Sequence, residues 1–303
     1  MPLTPSPEPV WIVGPVTWDE VIIDQPTTIP GGTALYTARA SEAAGVSAQV
    51  LTLGGDDADL EALESSRTER VEASTLTLRH EFPGGVRVQT LLQAPGRTLS
   101  PDDAPSEWAE PATLLLAPLL AEDIDVVAFI DEYPTAEVGL LAQGLQRAVL
   151  PDNRIAHRAQ PSSALLDAAR PNVSIFLSEE EIALWPAGAL DHLARRCGRV
   201  VVTRGASGAR IVSRAGTREV APVHVDPVDS TGAGDVFAAT FILALRAGEE
   251  FAGRLAAAFA AAACEVRGPG ALPSLNEIEA RFHLSPLDGG APGGAAADGG
   301  RPA

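Results

Sequence analysis

The sequence predicts an α/β domain built on a mostly parallel sheet, with a small β lid attached to it. Three observations carry that expectation. Short apolar runs alternate with helix-like segments along most of the chain. A stretch between residues 75 and 93 instead alternates apolar and polar positions. The chain is also long and apolar enough, at 303 residues and 46% hydrophobic, to fill one large core.

Residues 10–13 (VWIV) read as a buried strand that stops at Gly14-Pro15. After the apolar residues 21–23 and a Pro-Thr-Thr-Ile-Pro stretch comes Gly31-Gly32. Small and apolar residues then recur at helical spacing over 34–44, and Gly45 supplies the stop. Residues 48–53 are β-like and end in Gly-Gly-Asp-Asp, so the opening makes a βαβ unit with loops at the carboxyl edge of a parallel sheet. Residues 75–79 and 86–93 form a hairpin with one wet face, a β excursion that covers a site. Together with residues 24–30, the region 75–98 makes a reduced lid. Strands follow at 114–117 and 137–141, with a helix over 122–130 between them, and Gln143-Gly144, at a strand end, could line the cleft but reads more readily as a turn. A strand at 173–177 feeds an acidic helix start at Ser178-Glu179-Glu180-Glu181. Strands at 200–203 and 209–213 flank a tight turn, and two apolar helices, 234–246 and 251–266, close the domain. The domain spans 10–284, between a flexible, proline-rich N-terminus (1–9) and a disordered Gly/Ala/Pro tail (285–303).

Composition removes several chemistries. Basic residues number 22 against 40 acidic ones, for a formal charge of -18, and every basic residue is arginine. A chain without lysine has no P-loop lysine and forms no Schiff base, so it is not a pyridoxal enzyme. An acidic chain without basic runs is a poor partner for nucleic acid or an anionic membrane. Cys197 and Cys264 stand too far apart in sequence to suggest a zinc site or a disulfide framework, and the five histidines are scattered. With no long apolar run and no signal pattern, the expected location is the cytoplasm.

The chemistry concentrates in Asp226-Pro-Val-Asp-Ser-Thr-Gly-Ala-Gly-Asp235, immediately ahead of an apolar helix. Glycines 232 and 234 permit a tight turn and leave the first helical amides unobstructed. Such a helix start binds anions, phosphate above all. A carboxylate in the same turn makes sense if Asp235 takes a proton from a hydroxyl while the amides steady a migrating phosphoryl group. Spacing alone equally admits a plain capped turn, with Asp229 or Ser230 as the cap and Asp235 as a dipole partner. It fits the dinucleotide fingerprint poorly, because the third glycine is missing.

The run DSTGAGDVFAATFI resembles the C-terminal signature of the ribokinase (PfkB) family of carbohydrate and nucleoside kinases. VGPVTWDEVI, the Gly31-Gly32 helix start, LTLGGDD, SIFLSEEEIALW, VVTRGASGARIV and GPGALP resemble further family segments in the right order, across 10–282. The resemblance implies a ribokinase-like three-layer α/β/α fold and phosphoryl transfer from ATP to a polyol hydroxyl. Asp235 is then the base, with Gly232, Ala233 and Gly234 as the anion hole. Asp19, Gly31, Gly32 and Tyr36 would meet the acceptor. Thr203, Arg204, Gly205, Ser207, Gly208, Thr231, Gly268 and Gly270 would meet ATP, although Arg204 on its own also reads as a surface arginine. Glu181 would act on Mg²⁺ through water, and a monovalent cation stays open.

Some positions depart from the family pattern. Ser178, Thr17 and Tyr36 stand where the family has asparagine. With Gly31 so soon after Asp19, the first lid strands must be short or lost, and the assembly is a monomer or a homodimer. The compact start, the SEEE segment and the Asp-Pro-x-Asp run are more similar to myo-inositol kinase-like members. A nucleoside kinase of the same superfamily and a non-catalytic sugar-sensing relative are the alternatives. Trp18, beside Asp19, would border the substrate or simply pack.

Overall fold

Strand β1 (Val10–Val13) is apolar at every position because both of its faces are covered. Val10 and Ile12 enter one core while Trp11 and Val13 enter another on the opposite side of the sheet. The computed structural model in which this is seen describes residues 10–284, so the expected N-terminal segment 1–9 and tail 285–303 lie outside the described residues.

From β1 the chain forms β2 (Thr17–Ile22), β3 (Pro26–Gly31), α1 (Thr33–Ala43) and β4 (Ala48–Gly54), and β4 pairs parallel with β1 as the βαβ reading expects. Next come β5 (Arg67–Glu72), β6 (Leu76–Glu81), β7 (Val88–Gln93), β8 (Thr113–Leu116), α2 (Val126–Glu132) and β9 (Glu137–Leu141). A small hairpin of β10 (Arg147–Val149) and β11 (Ile155–His157) leads to α3 (Ser163–Ala168), β12 (Val173–Ser178), α4 (Glu179–Ile182) and α5 (Ala189–Ala194). The chain closes with β13 (Arg199–Thr203), β14 (Ala209–Ser213), β15 (Gly216–Val220), α6 (Ala233–Ala244), α7 (Glu249–Cys264) and α8 (Leu275–Phe282).

Nine strands form the central sheet in the order β15-β14-β13-β12-β9-β8-β1-β4-β5. Its pairs are parallel from β5 to β13, and only β14 and β15 join antiparallel. Helices α1, α6 and α7 cover one face with Leu35, Phe241 and Phe259. The other face carries α2, α3 and α5 through Phe129, Leu165 and Leu193. This is the three-layer α/β/α arrangement. Trp11 packs edge-on against Trp108 and Tyr133, with ring centroids 5.2 and 5.1 Å away.

The lid is a separate four-stranded sheet, β3-β2-β6-β7, in which β2 and β6 run parallel. Its first strands are short rather than lost, since β2 and β3 each keep six residues. Leu76 and Leu78 pack on Leu119 and Leu120 of the main domain. At the far edge the Leu91 N–H donates to the Asn153 carbonyl at 2.9 Å, which ties β7 to the β10–β11 turn.

Some boundaries moved for identifiable reasons. The helix expected over 122–130 starts only at Val126, because the Asp123 carboxylate turns back to accept the Leu119 and Leu120 amides. Asp125 becomes the cap and accepts from Ala128. The closing helices end early, at Ala244 and Cys264, and Leu245–Ala247 tightens into a 3₁₀ turn before Gly248 at φ 108°. Strands β5 and β15 escaped the sequence reading because they are edge strands rich in charge (RTERVE, GTREV). Among the described residues no helix is long and apolar enough to cross a membrane.

Helix α6 sits close on the sheet because Gly139 of β9 has no side chain. A Cβ there would lie 2.7 Å from Ile242 and 2.8 Å from Leu115. Gly139→Val is therefore expected to destabilise the fold by about 1–3 kcal/mol through overpacking. A lowered urea midpoint at unchanged slope is the expected result.

Candidate active site

Strands β1 and β8 are neighbours from which the chain proceeds in opposite directions, and in open α/β sheets a crevice forms outside the carboxyl ends at such a place. Gly14-Pro15 follows β1 and Ala117 follows β8; the Thr33 hydroxyl, at the start of α1, donates to the Ala117 carbonyl at 2.6 Å and closes the floor. A cavity of about 70 Å³ opens here, walled by the lid, by the start of α1 and by the start of α6.

Asp19, Gly32, Tyr36, Thr231, Gly232 and Asp235 all face this cavity, although they come from three separate stretches of chain. Gly31 lies beneath Asp19, where a Cβ would come 2.4 Å from the carboxylate. Gly32, at φ 102°, passes so near the Pro15–Thr17 backbone that no side chain fits. Gly232 is constrained twice: its φ is 77°, and a Cβ would meet the Tyr36 ring at 2.1 Å. That contact sets the Tyr36 ring against the turn that begins α6. Burial, and then Asp19, Asp229 and Asp235, hold the Tyr36 phenol well above the ordinary range, and its hydroxyl is buried without a partner.

Gly232 caps α6, so Asp235 occupies the third helical position. The Val236 N–H returns to the Gly232 carbonyl, and that of Ala233 to Ser230 at 3.3 Å. Among the described residues the Gly234 and Asp235 amides have no protein acceptor, and the space over Gly234 is open. The free donors are thus those of Gly234 and Asp235, while the Ala233 amide, expected in the anion hole, is already engaged.

Four carboxylates approach this place, and three are hydrogen-bonded. Asp19 accepts from the Thr17 hydroxyl at 3.0 Å. Asp229 accepts from the Thr231 and Gly268 amides at 2.9 and 3.1 Å; although burial pushes its carboxyl up, these bonds hold it below the usual range. Glu181 closes a capping box with Ser178, accepting from the Ser178 amide at 2.8 Å. Burial raises the Glu181 pKa despite that bond and despite Arg147. Asp235 alone has no hydrogen-bond donor among the described residues. Its half-buried carboxyl is pushed up to about 7, first by desolvation and then by the Glu181 charge, against the pull of Arg147 and Arg87.

Of the residues expected at the nucleotide, Thr231 faces the cavity and the others lie outside it. Thr203 stands in register with Ser178 at the carboxyl edge and donates to the Leu177 carbonyl at 3.4 Å. Gly205 and Ser207 make a 3₁₀ turn, and Gly208 needs its φ of 83° because a Cβ would collide with the Val220 carbonyl. The Arg204 guanidinium is held by Glu219 and the Ala209 carbonyl. Gly268 and Gly270 belong to the loop that the Gly268–Asp229 bond fastens to the motif. Among the described residues no three His, Cys, Asp or Glu side chains gather as a metal cage.

Sequence reasoning missed four polar side chains of the wall, His80, Arg87, Gln89 and Arg147. His80, Arg87 and Gln89 of the second lid hairpin, together with Gln143 and Arg147, face the same cavity. For Gln143 the alternative reading, that it lines the cleft, is the one observed. His80 was one of the scattered histidines; its Nε2 lies 3.4 Å from Asp19 because β2 and β6 run side by side. The alternation TLTLRH, which puts His80 on the inner face with Leu76 and Leu78, was the available signal. Trp18 points the other way and donates to the Asp57 carbonyl.

The pfkB family carbohydrate kinase model matches residues 13–278. Ribokinase of Bacillus subtilis (strain 168) is 30% identical over 276 residues, covering 83% of this chain and 87% of that protein. A pyrophosphate-dependent kinase of the ribokinase family, solved with a pyrophosphate analogue and myo-inositol, superposes with TM-score 0.72 at 17% identity, over 89% of this chain and 98% of its own. Arabidopsis thaliana ribokinase, complexed with ribose and ATP, gives 0.68 at 17% identity, over 92% and 99%. The chain belongs to the pfkB family of carbohydrate kinases.

Because the Asp235 pKa is raised, the carboxyl is protonated below about 7 and basic above it. For phosphotransfer, kcat/KM is expected to fall as pH is lowered through that value. In Glu181→Gln, which removes a neighbouring negative charge, the acidic limb is expected at lower pH than in the parent protein. Rate–pH profiles of both proteins are the check.

Proposed function

We propose that this pfkB-family chain transfers the γ-phosphoryl group of ATP to a hydroxyl of a sugar or cyclitol, with Asp235 as general base. One observation carries the reading. Asp235 is the only carboxylate of the four left without a hydrogen bond, and it lies in the same helical turn as two unpartnered amides. A carboxylate that must accept a proton is better left unsatisfied, whereas one that only orients is held by donors.

Asp19 and the Gly31-Gly32 turn position the acceptor from the lid side, and its hydroxyl then lies toward Asp235. The carboxylate of Asp235 takes the hydroxyl proton as the acceptor oxygen bonds to the γ-phosphorus. The bond from that phosphorus to the β–γ bridging oxygen breaks, and the electron pair leaves with ADP. The Gly234 and Asp235 amides, with the Gly232 turn behind them, receive the charge on the moving group. Thr203, Gly205, Ser207, Gly208, Thr231, Gly268 and Gly270 would hold the nucleotide at the carboxyl edge.

Glu181 fits a water-mediated approach to Mg²⁺, since one of its oxygens is committed to the Ser178 cap and the ion keeps much of its hydration. When bound, the ion neutralises phosphate charge. The reading as a sugar or cyclitol kinase agrees with the sequence likeness to ribokinase. The compact lid favours a small ring, and the myo-inositol kinase-like segments favour a cyclitol among them.

Asp235→Asn keeps the shape of the site and removes the base. A loss of about 10²–10⁴-fold in kcat is expected, with ATP binding retained. Near-full turnover by this variant, measured as ADP release with a panel of sugars, inositols and nucleosides, removes Asp235 from the mechanism. A protein that binds a polyol and forms no product with any of them is a sensor instead.

A further inference from the structure

The cavity holds two cations for which phosphoryl transfer to a neutral polyol has no use. About half of the arginines among the described residues are ion-paired, such as Arg79 with Glu20, Arg199 with Glu137 and Glu249, and Arg281 with Glu265. Among the described residues neither Arg87 nor Arg147 has a carboxylate within ion-pair distance, and both line the cavity. Arg147 is only 5% exposed. It donates to the Leu119 carbonyl at 3.1 Å and to the Gln89 side-chain oxygen at 3.2 Å, while its buried Nε has no partner. Arg87 directs Nε and Nη2 at His80 Nδ1, at 3.2 and 2.9 Å, rather than at a carboxylate. The Tyr36 hydroxyl and His80 Nε2 are further buried polar atoms of the same wall without hydrogen-bond partners.

A buried guanidinium with an unpartnered nitrogen is unfavourable unless an anion completes it. A neutral polyol offers hydroxyl acceptors but no charge to balance the guanidinium. The position of the two cations says which ligand would complete them. Arg87 and Gln89 belong to the lid hairpin, in the same sheet as Asp19, and Arg147 is fastened to Gln89. None of the residues assigned to the turn between β13 and β14 reaches the cavity. The cations therefore stand on the acceptor's side of Asp235.

We propose that the acceptor is an anionic polyol, whose phosphate or carboxylate oxygens are received by Arg87 and Arg147 while Asp19 takes its hydroxyls. This rests on the kinase reading and narrows it, from sugars and cyclitols in general to their acidic derivatives. Guanidinium suits either anion, because its fork presents paired donors to two oxygens.

The test is calorimetric binding without any nucleotide, using matched pairs: fructose against fructose 6-phosphate, glucose against gluconate and against glucose 6-phosphate. In the parent protein at least one acid is expected to bind about tenfold or more tighter than its neutral partner, in line with charge-assisted hydrogen bonds. The pair that shows the advantage tells phosphate from carboxylate. Arg87→Gln is expected to abolish that advantage and leave neutral binding within about twofold, since only the anion contact is lost. Arg87 is exposed enough to replace without loss of the fold, so it decides the matter even if Arg147→Lys does not fold. Equal or weaker binding of every acid overturns the assignment, as does an advantage that survives in Arg87→Gln. A raised KM for ATP in that variant, with no acid preference in the parent, gives the cations to the donor and overturns it too. A neutral polyol phosphorylated with the higher kcat/KM sinks this assignment and leaves the kinase intact. Loss of all turnover leaves the binding result standing and sinks the kinase reading.

Discussion

Asp19, Asp229, Asp235 and Glu181 converge on one small region, and like charges in a partly dehydrated place repel strongly. The local structure disposes of three of them. Backbone amides hold Asp229, a capping box holds Glu181, and a neighbouring threonine hydroxyl holds Asp19. Asp235 receives none of this help and answers by a raised pKa. The two arginines of the wall moderate the repulsion from a distance without pairing. An unsatisfied acid is unfavourable for stability, and that is what makes it useful: with no donor to hold its charge, it gains from taking a proton.

The fold holds this arrangement by close approach rather than by long-range bonds. Gly139 lets α6 settle on β9, Gly232 lets the Tyr36 ring lie against the helix start, and Gly31 and Gly32 let the lid strand carry Asp19 across the mouth of the cavity. Each contact lacks room for a methyl group. The lid is fixed at both ends, through the chain that joins β3 to α1 and through β7 against the β10–β11 turn. Its inner face presents Asp19, His80 and Gln89 together because β2, β6 and β7 are in register.

What could be read from the sequence was local. The layered fold followed from buried strands such as VWIV and from the helices between them, since a strand covered on both faces is apolar throughout. Asp235 and its glycines were visible because a helix start, its turn and its first acid are contiguous. The likeness to a known family then placed Asp19, which spacing alone does not distinguish. Arg87, Gln89 and Arg147 were out of reach because they enter the site through strand pairing between distant segments and no motif marks them, whereas alternation gave only the inward face of His80. A single arginine at the start of β10 looks the same in sequence whether it faces water or a cavity. Trp18 shows the converse: adjacency to Asp19 suggested the site, and alternation along β2 turned it to the opposite face.

The proposed chemistry depends on an unpartnered Asp235 carboxyl whose pKa the site has moved. Carbon-13 NMR titration of that carboxyl in the ligand-free protein measures this without any assumption about substrate. The expected midpoint is near 7, shifting down when Glu181 is made neutral. A midpoint near the ordinary aspartate value of about 3.9 would mean that the carboxyl is solvated or held by donors, and would contradict the account.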